Sequence, residues 1–462
     1  MSYSRTRVLA WNRWLIHHTP FRRSVIGDVR TDGGGGILNI LVVADGTSGD
    51  VHPLLGLSSV FASQGHSVTF FTNPVFAEVV ERCGLRFVPT GTAEDYNALR
   101  ARAAVTNALQ LSKLVWKSLI NSVRPVFDML VSEADDNTVI VAHPWALGAR
   151  LIQEKHGVPL VTLHVSPATF LSAKLPPIHR PFPVPLWLPY SVRSGLFWAL
   201  ERGVLDRILG PDINRLRFEL GLPPVTRIYG RWIHSPQGVL GLFPDWFAPP
   251  QTDWPPNVSV TGFPLFDEGN LRSIDPETEE FLAKGLRPVV FTVGSTCIDE
   301  ITYYATAASA INALRLRAIF LTSQELPPLG PNILVRSYVP LSRLLSCAMA
   351  IVHHGGTGTV SQALAAGIPQ LITPFVYDQF DNAVRIERLG CGIQLASGTL
   401  ARNMLPGLQR LLESVEIQQN CIALRSKMDS GPSACRKALS VIEEVASQAM
   451  SKRGHDTRLE RV

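Results

Sequence analysis

The chain has 462 residues, 46% of them apolar and 18% charged, with a formal net charge of +5 at pH 7. That length accommodates two domains with separate cores, and the composition excludes a disordered chain. No stripe of Lys and Arg interleaved with aromatics marks a nucleic-acid binder, and no window reaches the roughly 18 uninterrupted apolar residues of a bilayer span. Six cysteines, Cys83, Cys297, Cys347, Cys391, Cys421 and Cys435, form no Cys-x-x-Cys pair. They read as thiols of a reducing, cytoplasmic compartment without a structural metal.

Residues 1–36 stand apart. Arg5, Arg7, Arg13, Arg22, Arg23 and Arg30 are opposed only by Asp28 and Asp32, and the segment ends in four glycines. It reads as a basic, disordered extension, or as a membrane-surface arm or targeting piece; it lacks the apolar core of a secretory signal. At residues 38–43 the pattern becomes a buried strand, followed by Gly46-Thr47-Ser48-Gly49-Asp50-Val51-His52-Pro53. Pro53 suits the first turn of a helix whose apolar face is Leu54, Leu55, Leu57, Val60 and Phe61, which puts His52 at the N-cap. Strands at 68–72, 138–142 and 160–163 alternate with helices at 76–83 and 146–155. This alternation predicts a parallel sheet with helices on both faces.

Between 167 and 264 the alternation breaks into a stretch rich in proline and aromatics, including Trp187, Trp198, Trp232 and Trp254. Two readings stand: irregular core and domain packing, or an apolar acceptor pocket or lipid-facing surface. Residues 268–286 read as a linker, and 287–430 repeat the scheme with strands at 288–293, 318–322, 333–336, 349–352 and 370–373. Residues 431–462 read as a C-terminal helix, packing back on the N-terminal domain, and a tail. The expected fold is α/β, with two doubly wound parallel-sheet domains facing a central cleft.

The stretch Val352-His353-His354-Gly355-Gly356-Thr357-Gly358-Thr359 is the strongest local signal. Its glycines let the backbone turn sharply after a strand, and the free N–H groups of the helix beginning near Thr357 would face an anion such as a diphosphate. His354 stands at that mouth as a further donor. His353 either packs beneath the loop or joins it.

These residues, together with Pro374-Phe375-Val376-Tyr377-Asp378-Gln379 and Gly49-Asp50-Val51-His52-Pro53, resemble the motifs of the metal-independent GT-B glycosyltransferases that use UDP- or dTDP-sugars. A closer resemblance, to the glycosyltransferase component of bacterial rhamnolipid-forming rhamnosyltransferases, is carried by Ser166-Pro167-Ala168-Thr169-Phe170, His234-Ser235-Pro236-Gln237-Gly238 and Phe243-Pro244-Asp245-Trp246-Phe247. The resemblance implies an acceptor-binding domain at 37–267 and a donor-binding domain at 287–430. It also implies a nucleotide-sugar as co-substrate, with neither cofactor nor metal.

Inverting transfer needs a base for the acceptor proton and a cradle for the leaving diphosphate. Asp50 is the candidate base, with His52 the alternative; the other role open to Asp50 is a charge stabilising a helix start. Some relatives use a histidine held by a distant aspartate. Here His143 occupies the strand end where that aspartate would stand, so this dyad is expected to be absent. Ser295 and Thr296 would help His354, Gly356, Thr357, Gly358 and Thr359 hold the diphosphate. Tyr338 and Val339 match the place of an aromatic that stacks on the nucleobase, Gln362 a ribose ligand, and Asp378 and Gln379 the sugar ligands, with helix capping their alternative. Acceptor-side candidates are Ser48, Gly49, Trp145, Phe170, Trp187 and Trp198.

The leading expectation is transfer of L-rhamnose from dTDP-L-rhamnose to a 3-hydroxyalkanoyloxy-alkanoate, with peripheral contact to a membrane's inner face and a lipid-making acyltransferase as partner. UDP-glucose transfer to a sterol, polyketide or other apolar aglycone is the alternative. A non-catalytic nucleotide-sugar-binding homologue or scaffold is a third reading, disfavoured by the presence of Asp50 with His354, Asp378 and Gln379.

Overall fold

In the computed structural model, which describes residues 36–103, 108–178, 183–294 and 299–459, two parallel sheets carry the chain. Strands β1 (Asn39–Val43), β2 (Ser67–Thr72), β3 (Arg86–Pro89), β4 (Thr138–Ala142), β5 (Leu160–His164), β6 (Gly238–Gly241) and β7 (Val258–Val260) are ordered β3-β2-β1-β4-β5-β6-β7. Strands β8 (Val289–Thr292), β9 (Ala318–Leu321), β10 (Ile333–Arg336), β11 (Ala350–His353), β12 (Gln370–Ile372) and β13 (Gly392–Gln394) are ordered β10-β9-β8-β11-β12-β13. The basic segment 1–35 lies outside the described residues.

Both faces of the central strands are covered, so they need continuous apolar runs rather than alternation. In β1, Ile40 and Val42 join a core containing Leu54, Leu55 and Phe61 of the helix Ser48–Ser63, while Leu41 and Val43 join another with Phe127, Leu147 and Leu151 on the opposite face. A period of two thus feeds two cores from one strand. Strands β3, β6, β7 and β13, each of three or four residues, are additions to the sequence reading. The neighbouring strand supplies their register: Val239, Leu240 and Gly241 pair with Thr162, Leu163 and His164 on one side, and with Val258, Ser259 and Val260 on the other.

The first helix departs from expectation. It starts at Ser48 with Thr47 as N-cap, so Pro53 lies inside the helix and His52 is not its cap. The reason is a capping box: the Asp50 carboxylate accepts from the Thr47 backbone N–H at 2.8 Å, satisfying the helix start before the proline is reached. Pro53 then has no N–H to offer the Gly49 carbonyl four residues back.

Residues 167–264 divide into buried and exposed aromatics. Phe170, Phe243, Phe247, Trp254 and Phe263 are buried with Val360, Leu364, Ile372 and Ile386 in one cluster shared by the two domains. Phe170 stacks on Trp254 with ring centroids 4.5 Å apart, so it is a core residue and not part of an acceptor surface. Polar contacts reinforce this seam: the Ile178 N–H donates to Asp381 at 2.9 Å, and Arg385 donates to the Phe247 carbonyl at 3.1 Å. Trp187 and Trp198, in contrast, are 81% and 60% exposed.

The helix Gly431–Leu459 returns to the first domain, where Cys435, Ala438, Leu439, Ile442, Val445 and Ala446 are buried in the core that also holds Ile40 and Val42. The last helix therefore completes a core opened by the first strand. Ile442 is fully buried there. Ile442→Ala should cost about 2–4 kcal/mol, from lost burial and an unfilled cavity, read as a lowered urea midpoint.

Candidate active site

In both sheets the strand order reverses at one crevice, between β1 and β4 in the first and between β8 and β11 in the second. Ligands of such sheets lie at the carboxyl ends of the strands beside that reversal. In the first sheet these ends lead to Asp50 and His143; in the second they lead to Gly294 and His354.

Asp50 has two structural partners. Its Oδ2 accepts from the Thr47 backbone at 2.8 Å and from the Thr47 hydroxyl at 3.3 Å, while its Oδ1 lies 3.5 Å from His143 Nε2. The two residue types of that dyad do meet, but in exchanged places, with the aspartate in the first turn of the helix Ser48–Ser63 and the histidine at the end of β4. Burial holds the His143 imidazole below its ordinary pKa, although the Asp50 charge opposes this. Its Nδ1 is buried without a hydrogen-bond partner. The carboxylate, 28% exposed, is therefore the member of the pair available to a substrate. Gly46, with φ +133°, is required beside it, because a Cβ there would stand 2.3 Å from Asp50 Oδ2. His52 instead packs edge-on to Phe266, with ring centroids 5.9 Å apart.

Across the cleft, the first bond of the helix Thr357–Ala366 runs from the Val360 N–H to the Gly356 carbonyl. The N–H groups of Thr357, Gly358 and Thr359 precede it and have no intrahelical acceptor. Gly358 faces open space, with nothing within 4 Å of a Cβ built there. His354 is wedged between Gly294 and Gly356, where added Cβ atoms would come within 2.6 and 2.5 Å of its ring. Burial pushes its pKa down to about 4, and Nδ1 is left without a partner. His353 is fully buried beneath the loop, accepting from the Gly355 N–H at 3.1 Å and meeting Gln370 at 3.0 Å. Both of its ring nitrogens are thus engaged by protein. Ser295 and Thr296 lie outside the described residues.

The second motif is tied to the first by Asn382, whose amide donates to the Gly355 carbonyl at 2.9 Å and to Thr357 Oγ1 and Asp378 Oδ2 at 3.1 Å each. Thr357 donates to the same Asp378 oxygen at 3.1 Å. Desolvation, with repulsion from Asp50, pushes the Asp378 pKa up to about 6, against hydrogen bonds from Thr357, Ser166 and Asn382. The two carboxylates therefore face one cleft from opposite domains. Tyr377, just before Asp378, has φ +54°, a strained conformation for a non-glycine residue. Gln379 Oε1 accepts from the backbone of Phe375 at 2.8 Å and Val376 at 3.1 Å, bracing the turn.

Tyr338 is half-exposed, with Arg272 5.4 Å from its ring centroid, and Val339 is buried beside it in sequence. Gln362 is buried with Nε2 unpartnered. On the acceptor side, Ser48 and Gly49 form the exposed first turn, and half-buried Trp145 packs against Tyr229 at 5.6 Å. Burial and the nearby Asp378 charge push the Tyr229 pKa up to about 12. His143, Ser166, Tyr229 and Asn382 were not assigned ligand-site roles from sequence. His143 at its strand end and Ser166 in a motif segment did carry a signal in the sequence.

Residues 40–174 match the glycosyltransferase family 28 N-terminal domain, and residues 319–443 match the C-terminal domain of erythromycin biosynthesis protein CIII-like proteins. The chain is 28% identical to an O-mycaminosyltylonolide 6-deoxyallosyltransferase of Streptomyces fradiae, over 76% of this chain and 84% of that one. It is 27% identical to a sterol 3-beta-glucosyltransferase of Candida albicans over 77% of this chain, but spans only 24% of that longer protein. The solved glycotransferase of kitacinnamycin superposes with a TM-score of 0.69 at 20% identity, covering 89% of this chain and all of the other. The architecture is the GT-B fold.

The Asp378 pKa rises from an ordinary 3.8 to about 6 in the folded chain. Between those values the native state keeps a proton that the unfolded state has released, so this group's contribution to stability is full below the unfolded value and is lost as pH climbs through the folded one. Asp378→Asn should therefore raise the melting temperature at pH 7.5 and have less effect at pH 4.5, measured by paired thermal melts.

Proposed function

Because the chain belongs to the nucleotide-sugar-dependent glycosyltransferases, joining a family 28 type N-terminal domain to an EryCIII-like C-terminal domain, we propose that it transfers L-rhamnose from dTDP-L-rhamnose to a hydroxyl of an amphipathic lipid, a 3-hydroxyalkanoyloxy-alkanoate, with inversion. The observation that carries the catalytic part is the partly exposed Asp50 carboxylate at one strand-order reversal, opposite Asp378 and the helix start at Thr357. In this scheme the acceptor hydroxyl lies between Asp50 and the sugar's anomeric carbon. Asp50 takes the hydroxyl proton as oxygen bonds to that carbon, and the bond from the carbon to the diphosphate breaks on the opposite face. The leaving group keeps the electron pair. Its charge meets the N–H groups of Thr357, Gly358 and Thr359 and the side chain of His354.

His143 acts as a positioning partner. Its neutral ring places a nitrogen 3.5 Å from Asp50 without offering a competing base to the acceptor, since Nδ1 is buried. Asp378 and Gln379 fix the sugar, Tyr338 with Val339 the base, and Gln362 the ribose. The reaction is proposed to run without metal. The 6-deoxyallosyl relative supports a 6-deoxyhexose, while the rhamnolipid-like segments support the lipid acceptor and a lipid-making acyltransferase partner. The sterol glucosyltransferase relative favours one second reading, UDP-glucose transfer to an apolar aglycone.

Asp50→Asn should lower kcat by about a hundredfold or more while dTDP affinity, measured by calorimetry, stays within a few-fold of wild type; transfer near the wild-type rate would remove Asp50 as the base. A donor panel of dTDP-L-rhamnose, dTDP-glucose and UDP-glucose, offered with a hydroxyalkanoyloxy-alkanoate in excess chelator, should yield a deoxyhexosyl product by mass spectrometry. Transfer from UDP-glucose alone, or activity only after Mg is restored, would overturn the sugar or the metal-free scheme.

A further inference from the structure

Beyond Gln379 the second motif continues as Phe380-Asp381-Asn382-Ala383-Val384-Arg385, inside the helix Gln379–Arg388. At about 100° per residue, Asp378 and Asn382 fall on one strip of this helix, and Asp381 and Arg385 on a neighbouring strip roughly 60° away. The first strip holds the donor loop, through Thr357 and the Gly355 carbonyl. The second reaches the other domain. Asp381 Oδ1 accepts from the Ile178 N–H at 2.9 Å, Arg385 Nε donates to Asp381 Oδ2 at 2.6 Å, and Arg385 Nη1 donates to the Phe247 carbonyl at 3.1 Å. The guanidinium also stands 5.8 Å from the Phe247 ring centroid.

Stability alone does not account for this pair. Asp381 is 3% and Arg385 7% exposed, and the loss of water around two such charges largely offsets their attraction, so apolar residues of similar volume would stabilise the seam as well. The seam already has them in Phe247, Phe263, Leu364 and Ile386. Apolar burial, however, has no preferred direction. The ion pair adds one, because each of its members takes a backbone group of the acceptor domain, an N–H for Asp381 and a carbonyl for Arg385, and both bonds close in one arrangement of the two domains.

The acceptor-domain partners are themselves fixed. Asp253 accepts from the Ser172 hydroxyl at 2.8 Å and from the N–H groups of Ala173 at 2.7 Å and Lys174 at 3.1 Å, while Phe170 stacks on Trp254. Pro176 and Pro177, whose rings fix φ, then lead to Ile178. Residues 170–178 thus form a braced strap that starts beyond the end of β5 and finishes on Asp381. Asp378 stands three residues before Asp381, so the strap and Phe247 hold the helix start that presents Asp378 across the cleft from Asp50.

We infer that Asp381 and Arg385 are positioning residues for the transfer, holding Asp378 and the donor loop in register with Asp50 through Ile178 and Phe247. The inference rests on reaction across the Asp50–Asp378 cleft and not on which sugar or acceptor is used, so the variants are assayed with whichever pair the donor panel supports. Failure of the rhamnose or lipid reading therefore leaves this test standing. Asp381→Leu combined with Arg385→Met removes both charges together and keeps the seam apolar. Its kcat should fall by about tenfold or more, while dTDP affinity by calorimetry and the melting temperature stay close to wild type. Ile178→Pro deletes the N–H donor alone, and should lower kcat several-fold more than Ile178→Ala, which keeps it. Hydrogen exchange, followed on the full chain without substrate, should quicken at residues 171–178 in the double variant and not at 355–366. Wild-type kcat in the double variant, or a kcat that falls only in step with melting temperature or dTDP affinity, would overturn the positioning role. Unchanged exchange of the strap would overturn the tie itself.

Discussion

Asp50 and Asp378 face one cleft from opposite domains, and the burial of the Asp378 carboxylate there sets the terms for the rest of the site. Desolvation and the Asp50 charge both raise the Asp378 pKa, so Thr357, Ser166 and Asn382 are needed as donors around it. Asp50 is held on its own side by Thr47 and lies against a neutral His143. Asp50 is thus held within its own domain, whereas Asp378 also takes a hydrogen bond from Ser166 of the other.

The same economy of groups recurs in the donor loop. Asn382 joins the Gly355 carbonyl, Thr357 and Asp378 through one amide, tying the glycine-rich turn to the turn that carries Asp378. Gly355, with φ +94°, admits this approach, because a Cβ there would stand 3.0 Å from the Gln379 carbonyl. His353 supports the loop from beneath while His354 faces its mouth. Two adjacent histidines thus differ in their partners: protein engages both ring nitrogens of His353, while His354 Nδ1 has none.

The domains are joined by more than a linker. An apolar cluster built from Phe170, Phe243, Phe247 and Trp254 on one side and Val360, Leu364 and Ile386 on the other spans the seam, and the helix Gly431–Leu459 returns to the first domain's core. This seam anchors the two crevices that carry Asp50 and Asp378. The aromatic residues of 167–264 serve it unequally: those with partners in both domains are buried, while those on the helix Tyr190–Leu200 remain at the surface.

The sequence by itself determined the two parallel sheets and the glycine-rich helix start, because buried parallel strands demand continuous apolar runs and sharp turns demand glycine, both local requirements. It also pointed to Asp50, His354 and Asp378. Only the tertiary structure brought His143, 93 residues after Asp50 in the chain, to within 3.5 Å of it; it also made Asn382 the tie between two loops and separated buried Phe170 from exposed Trp198. Those outcomes depend on which strands become neighbours and which faces are covered. Strands as short as β6, β7 and β13 take their register from neighbours distant in the chain, so no local pattern records it.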